Sequence, residues 1–428
     1  MTQRVDSILF FCYNELGDTM ERKITIGLFN DAFYPAVDGV VSVVDNYARK
    51  LSKKANVIVF VPDYKKPYDD SKYPYKVVRV KSVKIPTVEY TFATPKVDMK
   101  FYHQIHKYYL DIIHVHSPFS LGATAIKYAN KHRIPVVTTM HSQHKRDLKN
   151  ITHSNVLSYF GTKKLISIYE HSNECWAVNG GVAKLFFKEY GYHKLPRVMP
   201  NATEMTLVKN TAHAHDVINK KHNINPNDKV FLFVGRLYRL KNIFFIVDAL
   251  SELEKLKPNF NYKMLFVGTG QDEEKLAKYI KDKKLSDKVI ICGKVMDREL
   301  LAYYYNRADL FLFPSMYDAN SIVQIEASSQ KTPTIFVKGA ITASDIINNE
   351  TGFITNEKPK DYAKKIIEVL NNKELYNHVS ENAYKKIYRT WDEITDEAYN
   401  SYLKLIDEFN KKKTKRNSNK ENKYEKFE

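Results

Sequence analysis

Four runs of the chain place side chains capable of chemistry where they could act together. The run Phe313-Pro314-Ser315-Met316-Tyr317-Asp318-Ala319-Asn320-Ser321-Ile322-Val323-Gln324-Ile325-Glu326-Ala327 carries two acids separated by seven residues. A short apolar run ending at Phe313 leads into it and a helical pattern opens near Ser321. Asp318 therefore belongs to a strand-to-helix loop and Glu326 to the helix that follows. Amides at a helix N-terminus attract anions, and a carboxylate set among apolar neighbours can accept hydrogen bonds from ribose hydroxyls. A second run, Phe233-Val234-Gly235-Arg236-Leu237 followed by Lys241-Asn242, puts a glycine and two cations in a loop after a strand. A guanidinium fork and an ammonium point charge suit a diphosphate. Two solvated surface cations are the plainer alternative in a lysine-rich chain, and the position after a strand argues for the site.

The third run is Thr138-Thr139-Met140-His141-Ser142, which sets His141 just beyond a strand. The fourth, Asn30-Asp31-Ala32-Phe33-Tyr34-Pro35-Ala36-Val37-Asp38-Gly39-Val40-Val41, ends a strand, passes through a proline loop and opens a helix at Gly39, where backbone N–H groups can meet a phosphate. His114, His116 and His144 lie near His141 in sequence. His114 and His116 are expected on opposite sides of their strand, and no acid stands at ligand spacing, so a metal site is not expected. Asp69-Asp70 is the only adjacent aspartate pair; flanked by Lys65, Lys66 and Lys72, it reads as a solvated loop.

Positioning such loops takes strands alternating with helices. Short apolar runs at Ile24–Asn30, Val57–Val61, Lys76–Val80, Asp111–Val115, Pro135–Thr139, Glu174–Val178 and Arg197–Met199 alternate with helical patterns such as Val40–Ser52 and Leu121–Lys131. After a polar stretch, Ala202–Asp228, the rhythm restarts. Strands are expected at Val230–Val234, Lys263–Val267, Lys288–Ile291, Asp309–Phe313 and Thr334–Val337, and helices at Asn242–Leu256, Glu273–Lys283, Glu299–Asn306, Ile322–Ser329 and Asp361–Leu370. Such alternation means a parallel sheet covered on both faces, and it occurs twice. The fold class is α/β, with two doubly wound domains. A length of 428 residues agrees.

Composition narrows the partners. Apolar residues make up 43% and charged residues 27%, as in globular proteins. No run reaches the roughly 18 apolar residues of a membrane span. The stretch Ile8–Cys12 is too short and too soon followed by Asn14, Glu15 and Asp18 for a secretory leader. Three scattered cysteines exclude a disulfide framework and fit a cytoplasmic setting. The net charge is +18, unevenly spread: residues 1–209 carry 30 basic and 18 acidic side chains, net +12, residues 210–410 net +1, and residues 411–428 net +5. One half therefore invites an anionic partner. Basic runs are not interleaved with aromatics as in nucleic-acid modules, so nucleic acid is set aside. Lys145, Arg146, Lys149, Lys163 and Lys164 surround Leu157, Tyr159, Phe160, Leu165 and Ile166, a pattern suited to an anionic membrane surface. The charged tail from Lys411 reads as disordered.

Together the four runs resemble the retaining nucleotide-sugar glycosyltransferase family that includes sucrose synthase, phosphatidylinositol mannosyltransferase and bacterial diacylglycerol glucosyltransferases. The resemblance extends from about Ile24 to Phe409. Its most specific element is the paired-acid motif Asp318 to Glu326, supported by Gly235-Arg236-Leu237 with Lys241-Asn242, by Pro200-Asn201-Ala202 before the domain linker and by Trp391 at the start of a last helix. It implies the GT-B fold of two facing Rossmann-like domains: an acceptor-side domain at 1–205, a donor domain at 206–385, a helix at 386–410 crossing back, and the tail 411–428. It also implies a metal-independent retaining hexosyltransferase without a cofactor. The donor would be a UDP-sugar, UDP-glucose above all, and the acceptor a membrane lipid such as diacylglycerol. His141 and Asp318 would contact the sugar, and Gly39, Arg236, Lys241, Asn320, Ser321, Ile322 and Glu326 would bind the donor. The enzyme would sit in the cytoplasm on the inner face of the membrane. A polysaccharide or teichoic-acid acceptor is the alternative within the family, and a non-catalytic protein binding an anionic partner is the alternative outside it. The sequence departs from the family in having Asp318 for the usual Glu, Ala319-Asn320-Ser321 for Gly-Phe-Gly, and Asp38-Gly39 where many members have Gly-Gly.

Overall fold

A computed structural model describes residues 22–424 apart from 37, 65–67 and 85–90. The apolar run Ile8–Cys12 and the last four residues lie outside the described residues. The first half forms β1 (Thr25–Phe29), β2 (Asn56–Pro62), β3 (Lys76–Val80), a hairpin of β4 (Ser82–Lys84) and β5 (Thr91–Ala93), then β6 (Ile112–Val115), β7 (Val136–Met140), β8 (Glu174–Ala177) and β9 (Arg197–Val198). Apart from the hairpin these make one parallel sheet in the order β3-β2-β1-β6-β7-β8-β9. The second half forms β10 (Lys229–Val234), β11 (Tyr262–Val267), β12 (Val289–Gly293), β13 (Leu310–Phe313), β14 (Thr334–Val337) and β15 (Phe353–Thr355), in the order β12-β11-β10-β13-β14-β15. Central strands are buried throughout and mostly apolar because helices cover both faces: every residue of β1, β7, β13 and β14 is buried. Both halves are Rossmann-like, and their order reverses between β1 and β6 and between β10 and β13. Crevices form at such switch points, beyond the carboxyl ends of the strands.

Two segments differ from the sequence reading. The polar stretch 202–228 contains a helix, Thr211–His222, capped by Asn210 and burying Ala214 and Ile218 against the second domain. Two buried residues per three turns are too few to stand out as an apolar stripe. The last helix, Trp391–Tyr424, runs through much of the tail expected to be disordered. Lysine is a good helix former, and pairs such as Asp407–Lys411, at 2.6 Å, carry the turn onward without a core to face.

The start of that helix packs on the first domain. Trp391, Ile394, Ala398 and Tyr402 join the core formed by Val41, Val44, Tyr47 and Trp176. Lys50–Asp392, at 2.6 Å, and Arg197–Glu397, at 2.6 Å, rim the contact. The chain thus passes between halves twice, and the two crossings touch: the Thr203 amide donates to the Arg389 carbonyl at 3.0 Å.

Candidate active site

The donor side begins where β10 ends. Gly235 has φ +154°, and its carbonyl lies so close to Gly268 that a Cβ there would sit 1.9 Å away. This tight crossing sends the chain outward through Arg236, which is exposed and has no ion pair among the described residues. Leu237 then returns to the core, and a turn, Arg239–Lys241, brings Lys241 back to the loop after β13. There its ammonium pairs with one Asp318 oxygen, while Ser315 Oγ donates to the other at 2.6 Å. Both side chains are mostly buried, so the pair is screened little by solvent.

The helix Ile322–Ser329 follows. The Ser321 side chain does not cap it and no acid occupies its first turn, which leaves N-terminal amides open to an anion. Glu326, 4% exposed, lies in the second turn. Arg298 Nη2 donates to Oε1 at 2.6 Å and Tyr305 OH to Oε2 at 2.9 Å. Burial and the Glu326 charge push the Tyr305 phenol well above its usual range. Arg298 also pairs with Glu204 of the linker at 2.7 Å. A carboxylate offers about four acceptor directions, so Glu326 keeps capacity for ligand hydroxyls.

The first domain faces this assembly. Gly39 is the first residue of the helix Gly39–Leu51, whose N-cap Asp38 accepts from the Val41 amide at 2.7 Å. A Cβ at Gly39 would meet nothing within 4 Å, so the backbone there borders open space. Ile322 packs on the same first-domain core as Val40, which brings the two helix starts together. His141 follows β7, half-buried, with Nε2 3.1 Å from His116 Nδ1. Burial, with the nearby His144, pushes its pKa down to about 3, so the imidazole is neutral at pH 7.

The first domain also grips the acid loop directly. Gln143 Nε2 donates to the Tyr317 carbonyl at 2.7 Å, with the Met316 and Asp318 carbonyls at 3.4 and 3.3 Å. Arg146 donates to the Met316 carbonyl, and Tyr317 OH to Asp147 at 2.8 Å. Asn179 donates to the Ala319 carbonyl and Asn320 to the Val178 carbonyl, so Asn320 ties the domains together. Asp345 accepts from the Gly180 amide at 2.9 Å. A Cβ on Gly180 would stand 2.4 Å from that carboxylate, so a larger residue there would make the Asp345 side chain shift.

Lys241, Asp318, Asn320, Ser321, Ile322 and Glu326 thus share one loop-helix unit and its neighbouring turn. Two readings of the residues need correction. His114 and His116 do not face apart: positions two apart on a strand share a face, and their rings are 4.0 Å from centroid to centroid. Asp70 is not a freely solvated carboxylate but pairs with Arg79 at 2.8 Å. Sequence reasoning missed Gln143, Asp147, Tyr317, Arg298 and Tyr305 as site residues and set Arg146 in the membrane-facing basic group, whereas its guanidinium turns onto the acid loop. They reach the site from other elements, so no local spacing marks them.

Two facing Rossmann-like domains, with a cationic loop and paired acids on one of them, define the GT-B class. The family model described as Glycosyltransferase Family 4 matches residues 37–206, and that described as Glycosyl transferases group 1 matches residues 215–386. The chain belongs to these group 1 glycosyltransferases of the GT-B fold. It is 26% identical over 410 residues, 91% of this chain and 100% of the relative, to alpha-monoglucosyldiacylglycerol synthase of Acholeplasma laidlawii. It is 24% identical to the synthase of the same name from Streptococcus pneumoniae, covering 72% of this chain and 70% of the relative. HepE from Anabaena, solved in complex with UDP, superposes with a TM-score of 0.70 at 15% identity, covering 89% of this chain and all of that one.

Proposed function

We propose that this glycosyltransferase moves a glucosyl residue from UDP-glucose to a diacylglycerol-type lipid, with retention of configuration and without a divalent metal. The observation that carries the reading is the meeting of Lys241, Asp318, Glu326 and the open N-terminus of the Ile322 helix. Glu326 would accept the ribose hydroxyls, held in place by Arg298 and Tyr305. Arg236, Lys241 and the helix amides would take the diphosphate. Breaking the sugar–phosphate bond leaves added negative charge on that diphosphate, and fixed positive groups aimed there stabilise the transition state. Lys241 would exchange its contact with Asp318 for the phosphate, freeing Asp318 for sugar hydroxyls. His141 would contact the sugar from the opposite domain, and Gly39 would let that domain's backbone approach it.

The acceptor class is supported by the names of the relatives and by one surface. On the helices His144–Thr152 and Asn155–Tyr169, the side chains of Ile151, Val156, Leu157, Tyr159 and Phe160 are exposed beside Lys145, Lys149, Lys163 and Lys164. Leu165 and Ile166, read from the sequence as part of this face, are instead buried in the core. Exposed apolar side chains ringed by lysines suit a cytoplasmic leaflet of anionic lipid. No helix among the described residues is long and apolar enough to cross a membrane.

The experiment is incubation with labelled UDP-glucose and a panel of diacylglycerol, glycerol phosphate polymer and oligosaccharide acceptors, with and without chelator. Glucosyl-diacylglycerol formed equally in both conditions is expected. Label appearing only on the polymers or oligosaccharides would replace the lipid acceptor, and loss of activity with chelator would overturn the metal-free reading.

A further inference from the structure

The sugar-facing histidine is half of a hydrogen-bonded pair whose other half is sealed inside the first domain. His116 continues the ladder of β6, its amide donating to the Phe29 carbonyl at 2.8 Å, and its side chain is 2% exposed. Its Nδ1 meets His141 Nε2 at 3.1 Å. Its Nε2 is closed off from solvent and has no hydrogen-bond partner among the described residues. His141 Nδ1 has no hydrogen-bond partner among the described residues either, but it is not among the atoms sealed from solvent. Burial and neighbouring imidazoles hold both rings neutral.

Two neutral imidazoles can share one proton across that contact in two ways. If His141 donated from Nε2, His116 would accept at Nδ1 and carry its own proton on Nε2, a buried N–H with nothing to receive it. If His116 donates from Nδ1, only a lone pair is left unmatched at Nε2. Orphaned buried donors are rarer than under-used acceptors. The second arrangement leaves His141 accepting at Nε2 and protonated at Nδ1, the nitrogen that is not sealed and is left free for a ligand.

We propose that His116 is a positioning residue that fixes the tautomer of His141, making it a neutral N–H donor toward a hydroxyl oxygen of the bound sugar. A donor there discriminates: it can serve an oxygen of the substrate, and it repels a cation or a second N–H. The sugar-contact part of this inference rests on the proposed transfer reaction; the tautomer part does not.

Nitrogen-15 NMR of histidine-labelled protein, with the His141 signals assigned by a His141→Gln variant, reads the tautomer directly without substrate. The expected spectrum shows His141 neutral, with its proton on Nδ1. A proton on Nε2 overturns the proposal, because His116 would then carry its single ring proton on the sealed Nε2. In transfer assays, His116→Ala should lower kcat/KM for UDP-glucose about tenfold, the equivalent of one lost hydrogen bond. His116→Asn keeps an N–H donor at the Nδ1 position and should recover to within about threefold of the parent. Equal losses in the two variants, with both still folded by thermal melts, would overturn the positioning role. A wild-type chain that transfers no glucose yet shows the Nδ1 proton would overturn the donor reading and leave the tautomer standing.

Discussion

The ion pair between Lys241 and Asp318 puts opposite charges in the same small site before any substrate arrives. Under the proposed function, replacing Lys241 with alanine would remove a charge-assisted bond to the diphosphate, worth about 1.5–3 kcal/mol, and it strands a mostly buried carboxylate. Turnover should fall roughly 10- to 100-fold, and more than UDP-glucose affinity does if the charge acts chiefly in the transition state. Arg236 has no internal partner among the described residues, so Arg236→Ala should weaken donor binding without destabilising the fold. Normal activity in both variants would remove the diphosphate from this loop. The histidines give a second expectation at this scale. Burial pushes His144 down to about 4 and His141 to about 3, from an ordinary 6.5. Between those values and 6.5 the unfolded chain binds more protons than the folded one, so stability is full above about pH 6.5 and falls as the pH drops. The melting temperature should decline steadily from pH 7 to pH 5; a flat profile would contradict it. The placement of Arg236, Asp318 and His141 in loops beyond strands was legible because each follows an apolar run. Gln143, Arg146 and Arg298 were not, because what makes them matter is the approach of another element.

Among the elements, the helices His144–Thr152 and Asn155–Tyr169 present an outer face that the other described residues do not cover. If that face meets lipid, flotation with anionic vesicles should be strong at low salt, weaken as salt screens the lysines, and drop when Lys163 and Lys164 become Glu. Each lysine near an anionic leaflet contributes ~1 kcal/mol, so the double reversal should cost well over tenfold in partitioning. Indifference to anionic vesicles at low salt would favour a sugar acceptor. The alternation of strands and helices was readable because parallel strands buried on both faces keep unbroken apolar runs. The helix Thr211–His222 escaped notice for the opposite reason, as did the continuation of the last helix past Asn410. Neither offers a wide apolar stripe. Leu165 and Ile166 were assigned to the wrong face because periodicity does not say which side of a helix the core occupies when both sides carry apolar residues.

For the molecule as a whole, the two crossings decide what holds together. The side chain of Trp391 is 1% exposed, and its ring lies 5.8 Å from that of Tyr47. Trp391→Ala should cost ~3–5 kcal/mol in the unfolding of the first domain, although the residue stands far beyond it in sequence. A loss confined to the second domain's melting would show that the crossing helix belongs there instead. The same arrangement has a consequence for synthesis. A ribosome delivers the first half before the second, yet the core of that half lacks Trp391, Ile394, Ala398 and Tyr402, and His114 Nδ1 lacks the Tyr402 hydroxyl that it meets at 2.6 Å. The half made second contains its own core and can close as soon as it emerges. The usual order of N-terminal domain first is thereby reversed: the half that is born first is completed last, waiting with an apolar groove open until the final helix leaves the exit tunnel.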